Sequence, residues 1–218
     1  MDPVSFKMFM GAAGSGISLP DIGAAFEGGY YAGSISHTAD GVATHALIVA
    51  PAATGASGTG YTITANKYWQ SDPNSNTGAT SAYDGASNTT AMTNSTAASF
   101  CSGLSIGGYS DWYLPAPQEL EIAYYYLKPT TDNNSTSWGT NNRAVPQRGS
   151  NYTTSNPGQT SVSAFQSGGA QAFVASAHWT SRQRFSTSAW RLSFQDGSQN
   201  DVSRTDLLAV RAFRKIAL

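Results

Sequence analysis

Charge is scarce in this chain. Only 11% of its 218 residues are charged, 12 Lys+Arg against 13 Asp+Glu, for a net charge of −1. An ordinary soluble domain carries about a quarter. Without a basic surplus the chain does not read as a nucleic-acid binder, and without blocks of like charge it does not read as a charged disordered tail. Cysteine is nearly absent. Cys101 stands alone, which excludes an internal disulfide framework and a cysteine-rich zinc site. No apolar run approaches the roughly 18 residues of a membrane span, so no membrane insertion is expected. The opening Met1-Asp2-Pro3 lacks the basic and apolar regions of a signal peptide.

Small neutral residues take the place of charge: 29 Ser, 22 Thr, 12 Asn and 22 Gly, with 11% aromatics. Tyr, Trp, Ser, Gly and Asn are the residues of adaptable binding surfaces. The length suffices for one sizeable core. Residues 1–25, with the flexible Gly11-Ala12-Ala13-Gly14-Ser15-Gly16, read as a stem or linker, and 26–218 as a single domain.

Aromatic and β-branched runs at Gly29–Ile35 and Ala46–Ala50 predict strands joined by a turn at Asp40-Gly41. Gly60–Ile63 and Lys67–Trp69 predict further short strands. Two helices follow. One runs from Ser87 to Cys101, stopped at Gly103. The other begins at Pro117 and ends near Leu127, with Leu120, Ala123, Tyr124 and Leu127 on one face. Residues 130–163 form a long polar loop. Short strands are then expected at Ala172–Val174 and His178–Thr180. Trp190, Leu192 and Phe194 alternate with Arg191, Ser193 and Gln195, Asp196-Gly197 turns the chain, and Leu208–Phe213 closes it. The order predicts an α+β fold.

Several motifs resemble a lectin-like family found at phage tail-fibre tips and in bacterial adhesins. Gly107-Gly108-Tyr109-Ser110-Asp111-Trp112-Tyr113-Leu114-Pro115 with Glu119-Leu120 is similar to its "DWRLP…EL" signature. Asp84-Gly85-Ala86-Ser87-Asn88-Thr89 resembles the start of its first helix, and Trp179-Thr180-Ser181 its "YWSS" strand. Ala189-Trp190, Phe194-Gln195-Asp196-Gly197 and Val210-Arg211-Ala212-Phe213-Arg214 resemble its closing hairpin. Gly28-Gly29-Tyr30 and Leu47–Pro51 resemble the opening strands of its phage members. The resemblance implies a C-type-lectin-like fold, two helices packed on small antiparallel sheets with long loops. It also implies a non-enzymatic receptor-binding domain at a virion tail tip, extracellular when it acts, homotrimeric, and partnered by a host cell-surface glycan or protein. Two positions depart from the pattern: Ala116 replaces a hydroxyl helix cap, and His178 stands where Tyr is frequent.

Chemistry is sparse. Asp111, Glu119 and Glu121 are the one close carboxylate cluster, and a solvated helix N-terminus explains the two Glu; Asp111 is expected to bond nearby backbone donors. His37, His45 and His178 form no zinc motif. The Glu-Pro-Asn, Gln-Pro-Asp and Trp-Asn-Asp tripeptides of calcium-dependent lectins are missing, which leaves other constellations, such as Asp132-Asn133-Asn134, as calcium candidates; no cofactor is expected. Trp112, Leu114, Leu120, Trp179 and Trp190 read as core or core-edge residues, and Arg211 as paired with a buried acceptor.

The closing segment is basic. Residues 179–218 hold seven of the twelve Lys+Arg and three of the thirteen Asp+Glu, a net +4 against −5 for residues 1–178. The expected ligand-binding face comprises Arg182, Arg184, Phe185, Arg191, Ser193, Gln195, Gln199, Asn200 and Arg204. Alternative readings are a diversity-generating-retroelement variable protein, a polysaccharide depolymerase and a bacterial adhesin.

Overall fold

The structure, a computed structural model, describes residues 16–61, 65–72 and 76–218. The strands are β1 (Ala25–Phe26), β2 (Gly29–Ile35), β3 (His45–Val49), β4 (Ala56–Ser57), β5 (Lys67–Tyr68), β6 (Ala144–Val145), β7 (Ala177–Phe185), β8 (Ser188–Ser193), β9 (Gln199–Ser203), β10 (Leu207–Leu208), β11 (Val210–Arg211) and β12 (Phe213–Ala217). The helices are α1 (Ala52–Gly55), α2 (Gly85–Ala91), α3 (Thr96–Ser102) and α4 (Pro117–Leu127). The fold is thus mixed helix and sheet, mostly sheet, as the element order predicts. The main sheet runs β1-β2-β3-β12, with β6 added on β2, and curls into a half-barrel. A second antiparallel sheet, β7-β8-β9, carries the basic segment.

β3 reads as a continuous apolar run because both of its faces are covered. Leu47 and Val49 enter one core with Leu120, Ala123, Tyr124 and Leu127 of α4. Ala46 and Ile48 enter the other, with Trp69, Trp112 and Trp179. The close approach of α4 to β2 fixes Gly33: at φ +129°, an added Cβ would lie 2.7 Å from the Ile122 side chain.

The helix predicted from Ser87 to Cys101 is two helices. Asn94 adopts a positive φ, and the Ser95 hydroxyl accepts from the Ala98 N–H at 3.0 Å, capping a new helix where a continuous one would pass. Asp84 caps α2 in the same way, accepting from the Ser87 N–H at 3.1 Å. Ala172–Val174 is no strand, although Phe173 is buried and stacks on Phe194 with centroids 3.9 Å apart. Ile63 of the predicted strand at 60–63, and residues 1–15 of the expected stem, lie outside the described residues. Leu19 and Ile22 pack on the core, and the Gly23 N–H donates to the Tyr31 carbonyl at 2.7 Å, so this part of the stem belongs to the folded body.

Helix α4 is the polar hub of the molecule, and its two Glu are buried rather than solvated. Glu119 accepts from the Ala116 N–H (2.7 Å), the Gly85 N–H (3.0 Å) and the Tyr113 hydroxyl (2.8 Å). It therefore does for the helix start what Ala116 has no side chain to do, and ties α2 to α4. Burial, opposed by those donors, lifts its pKa to about 7. Glu121 accepts from the Tyr152 hydroxyl (2.5 Å), the Asn141 amide (2.6 Å) and the Arg148 guanidinium. Lys128, just past the helix end, donates to the Asp132 carbonyl (2.5 Å), Asn134 Oδ1 (2.7 Å) and the Pro157 carbonyl (3.3 Å). Together Glu121 and Lys128 pin the long loop that the sequence presents as featureless.

Candidate functional site

The β7–β8 hairpin projects from this framework. Its base is fixed: the Ser181 N–H donates to the Pro115 carbonyl (2.8 Å), the Gln183 N–H to the Ala79 carbonyl (2.8 Å) and the Thr180 hydroxyl to the Trp190 carbonyl (2.8 Å). Towards the tip the register slips, with Gln183 opposite Ala189 but Phe185 opposite Ser188. Such a bulge re-aims consecutive side chains. Arg184 and Phe185 consequently gather with Trp190. The Arg184 guanidinium carbon lies 4.9 Å from the Phe185 ring centre and 5.5 Å from that of Trp190. Phe185 is 57% exposed.

Trp190 is half-buried, at the edge of the core. Trp138 stands edge-on to it, with centroids 6.3 Å apart and planes at 81°. Trp138 comes from the long loop, where its carbonyl accepts from the Tyr152 N–H at 2.6 Å. The Glu121 anchor on Tyr152 therefore also positions Trp138.

The predicted face divides. Arg182, half-buried, and Arg184, exposed, flank each other, and the strand alternation puts Arg182 on the Trp190 side. Burial first, then the charge of Arg184, hold the Arg182 guanidinium below its ordinary value. Among the described residues neither guanidinium makes an ion pair with a carboxylate. Asp201, cross-strand from Trp190, instead accepts from the Ser188 hydroxyl at 2.7 Å. Arg191 pairs with Trp179 and Asn200, and alternation turns both Arg191 and Asn200 to the opposite side of the sheet. Gln199 lies opposite Leu192, away from the hairpin tip, and Gln195 is exposed beside the Asp196-Gly197 turn.

Two of the expected residues are not on a surface. Ser193 is 6% exposed, buried like its neighbours Leu192 and Phe194. Arg204 is fully buried, donating to Gln70 Oε1 (2.8 Å) and the Asp72 carbonyl (2.9 Å) and lying over the Trp69 ring. It braces the segment around Trp69 instead of meeting a ligand. The face thus gains Trp138 and Trp190, which sequence reasoning missed. An isolated Trp in the polar run Ser135-Thr136-Ser137-Trp138-Gly139 was the available signal.

The other candidate groups are occupied individually. Asp111 accepts from Arg214 at 2.8 and 3.2 Å, in place of the expected backbone donors. Arg211 is buried and donates to the Ala50 carbonyl at 2.6 Å, as expected. In the calcium candidate, Asn134 Oδ1 holds the Lys128 ammonium, so a cation of the chain itself fills that position. No group of three His, Cys, Asp or Glu among the described residues is arranged to hold a metal. Cys101 is buried, which raises its thiol pKa. His178 accepts from the Tyr61 hydroxyl at Nε2 (2.7 Å) and donates from Nδ1 to the Ser176 carbonyl (3.0 Å), and burial lowers its pKa to about 3. No helix among the described residues is long and apolar enough to cross a membrane. Comparison of the chain with protein-family models gives no match, and comparison with curated proteins gives none.

Proposed function

We propose that this chain is a receptor-binding domain of C-type-lectin-like fold, carried in several copies at the tip of a phage tail fibre, and that it recognises the host surface through the Arg184–Trp190 face without turning over a substrate. The motifs behind the resemblance support the reading because they also meet in space. Asn88 donates to the Ser181 hydroxyl at 3.0 Å, Tyr113 exchanges backbone hydrogen bonds of 2.7 and 2.9 Å with Phe213, and Asp111 pairs with Arg214. Segments far apart in sequence thus form one frame, and the polar face stands on it.

The observation that carries the proposal is Arg184 laid across Phe185 and Trp190 on a bulged hairpin with a rigid base. A guanidinium over aromatic rings, exposed and unneutralised, is the composition of an interface hot spot. Arg184→Ala should lower binding to host cells by about tenfold. It should leave the melting temperature nearly unchanged, since an exposed substitution costs within about 0.5 kcal/mol. Undiminished cell binding by this variant would move the site away from the hairpin.

A further inference from the structure

Resting on that reading, we infer that the ligand of this face is an acidic glycan, a saccharide bearing oxyanion groups, and that the long loop contributes Trp138 to the same site. Arg182 and Arg184 sit side by side, and among the described residues no acceptor of the chain takes a hydrogen bond from either guanidinium. Each presents five N–H donors in a fork that matches an oxyanion. Two like charges held together without a carboxylate leave a local positive potential, which an anionic ligand neutralises.

The rings beside them supply the second half of saccharide recognition. A sugar ring is amphipathic: its C–H face packs on an aromatic plane while its hydroxyl and acidic groups reach outward. Trp190, the edge-on Trp138 and the exposed Phe185 line such a surface beside the Arg184 guanidinium. A protein partner is less well matched. Its interface buries about 800 Å² on each side around an apolar centre. Here the centre is charged, and Phe185 is the large apolar side chain exposed beside it. Of the seven cations in residues 179–218, Arg204 and Arg211 are buried, Arg214 and Lys215 pair with Asp111 and Asp84, and Arg191 faces the other side, so Arg182 and Arg184 supply the charge of this face.

The test uses the full chain on an array of immobilised neutral saccharides and of saccharides bearing uronate, sialate, sulfate or phosphate. Binding should appear on acidic saccharides and be lost at about 0.5 M sodium chloride, where screening acts within a few ångströms. The Arg182→Ala/Arg184→Ala double variant should lose about tenfold or more in apparent affinity. Trp138→Ala should lose about fivefold while keeping the preference for acidic saccharides. The identity of the bound acidic group separates carboxylate from sulfate and phosphate ligands. Binding confined to neutral saccharides, no binding to any saccharide, or acidic binding that survives the double variant would each overturn the inference. Cell binding by Arg184→Ala is a separate readout. If that variant loses cells and no saccharide binds, the site stands and its ligand is a protein; if cell binding persists, the site itself is wrong.

Discussion

Glu119→Ala should destabilise the fold by about 4 kcal/mol, the largest loss expected from a single polar residue here, because it strands three buried donors at about 1–3 kcal/mol each. Those donors are the Ala116 and Gly85 N–H groups and the Tyr113 hydroxyl. For a chain of this length the melting temperature should fall by about 12 °C. Glu119→Gln is the informative companion. Its amide oxygen can accept from both backbone N–H groups, and its amide nitrogen can donate to the Tyr113 oxygen, so the contacts survive without the titration. The pKa of Glu119 rises from 4.5 to about 7 on folding. The native state therefore binds the extra proton between those values, and the contribution of Glu119 to stability is fully present below 4.5 and lost as pH rises through 7. Relative to the parent, Glu119→Gln should gain stability over that window, by about 3 kcal/mol at most. Urea denaturation of both proteins across the window checks this. A constant difference between them would show that Glu119 is ionised throughout. Opposing acid effects of His178 and His37, whose pKa values fall to about 3 and about 4, cancel in the comparison.

Lys128→Met should cost about 3 kcal/mol and release the long loop. The ammonium is held by Asp132, Asn134 and Pro157 oxygens, with no carboxylate among those bonds. Removing the charge leaves the Asp132 carbonyl without this donor and an apolar side chain against all three acceptors, while Asn134 Oδ1 keeps the Tyr124 hydroxyl (2.5 Å) and the Pro157 carbonyl keeps the Asn134 amide (2.9 Å). Protease cleavage between residues 130 and 160 should accelerate, and the same variant should weaken receptor binding, because Trp138 rides on that loop. Parent-like cleavage would mean that the Glu121 contacts to Arg148, Asn141 and Tyr152 suffice to hold it.

The extent of α4 was legible because Pro117 marks its start and four apolar residues share one face. The turn at Asp196-Gly197 was equally legible: Asp196 Oδ1 accepts from the Ser198 N–H at 3.0 Å, and Gly197 adopts a positive φ. What escaped the sequence depended on partners distant along the chain. Glu119 and Glu121 have the pattern of a solvated helix start, and only Gly85, Asn141, Arg148 and Tyr152 make their burial possible. Trp190 fits an alternating inward strand, yet the core ends beneath Leu192 and the bulge beyond Gln183 brings Arg184 over it. Arg204 looks like one more surface cation until Gln70 and Asp72 meet it in the interior. Side-chain alternation predicted exposure only where one face of the sheet is uncovered: Ser193 pairs in regular register with Ala177 and is buried all the same.

In the proposed function, the hairpin tip meets the host surface together with the loop that carries Trp138. Hydrogen–deuterium exchange on the chain, free and bound to host-envelope fragments, tests it most directly. New protection is expected in peptides covering residues 182–191 and 136–140, with little change elsewhere. Protection confined to another part of the surface, such as the cleft of about 380 Å³ lined by Tyr61, Phe173 and Val174, with the hairpin exchanging as in the free protein, would contradict it.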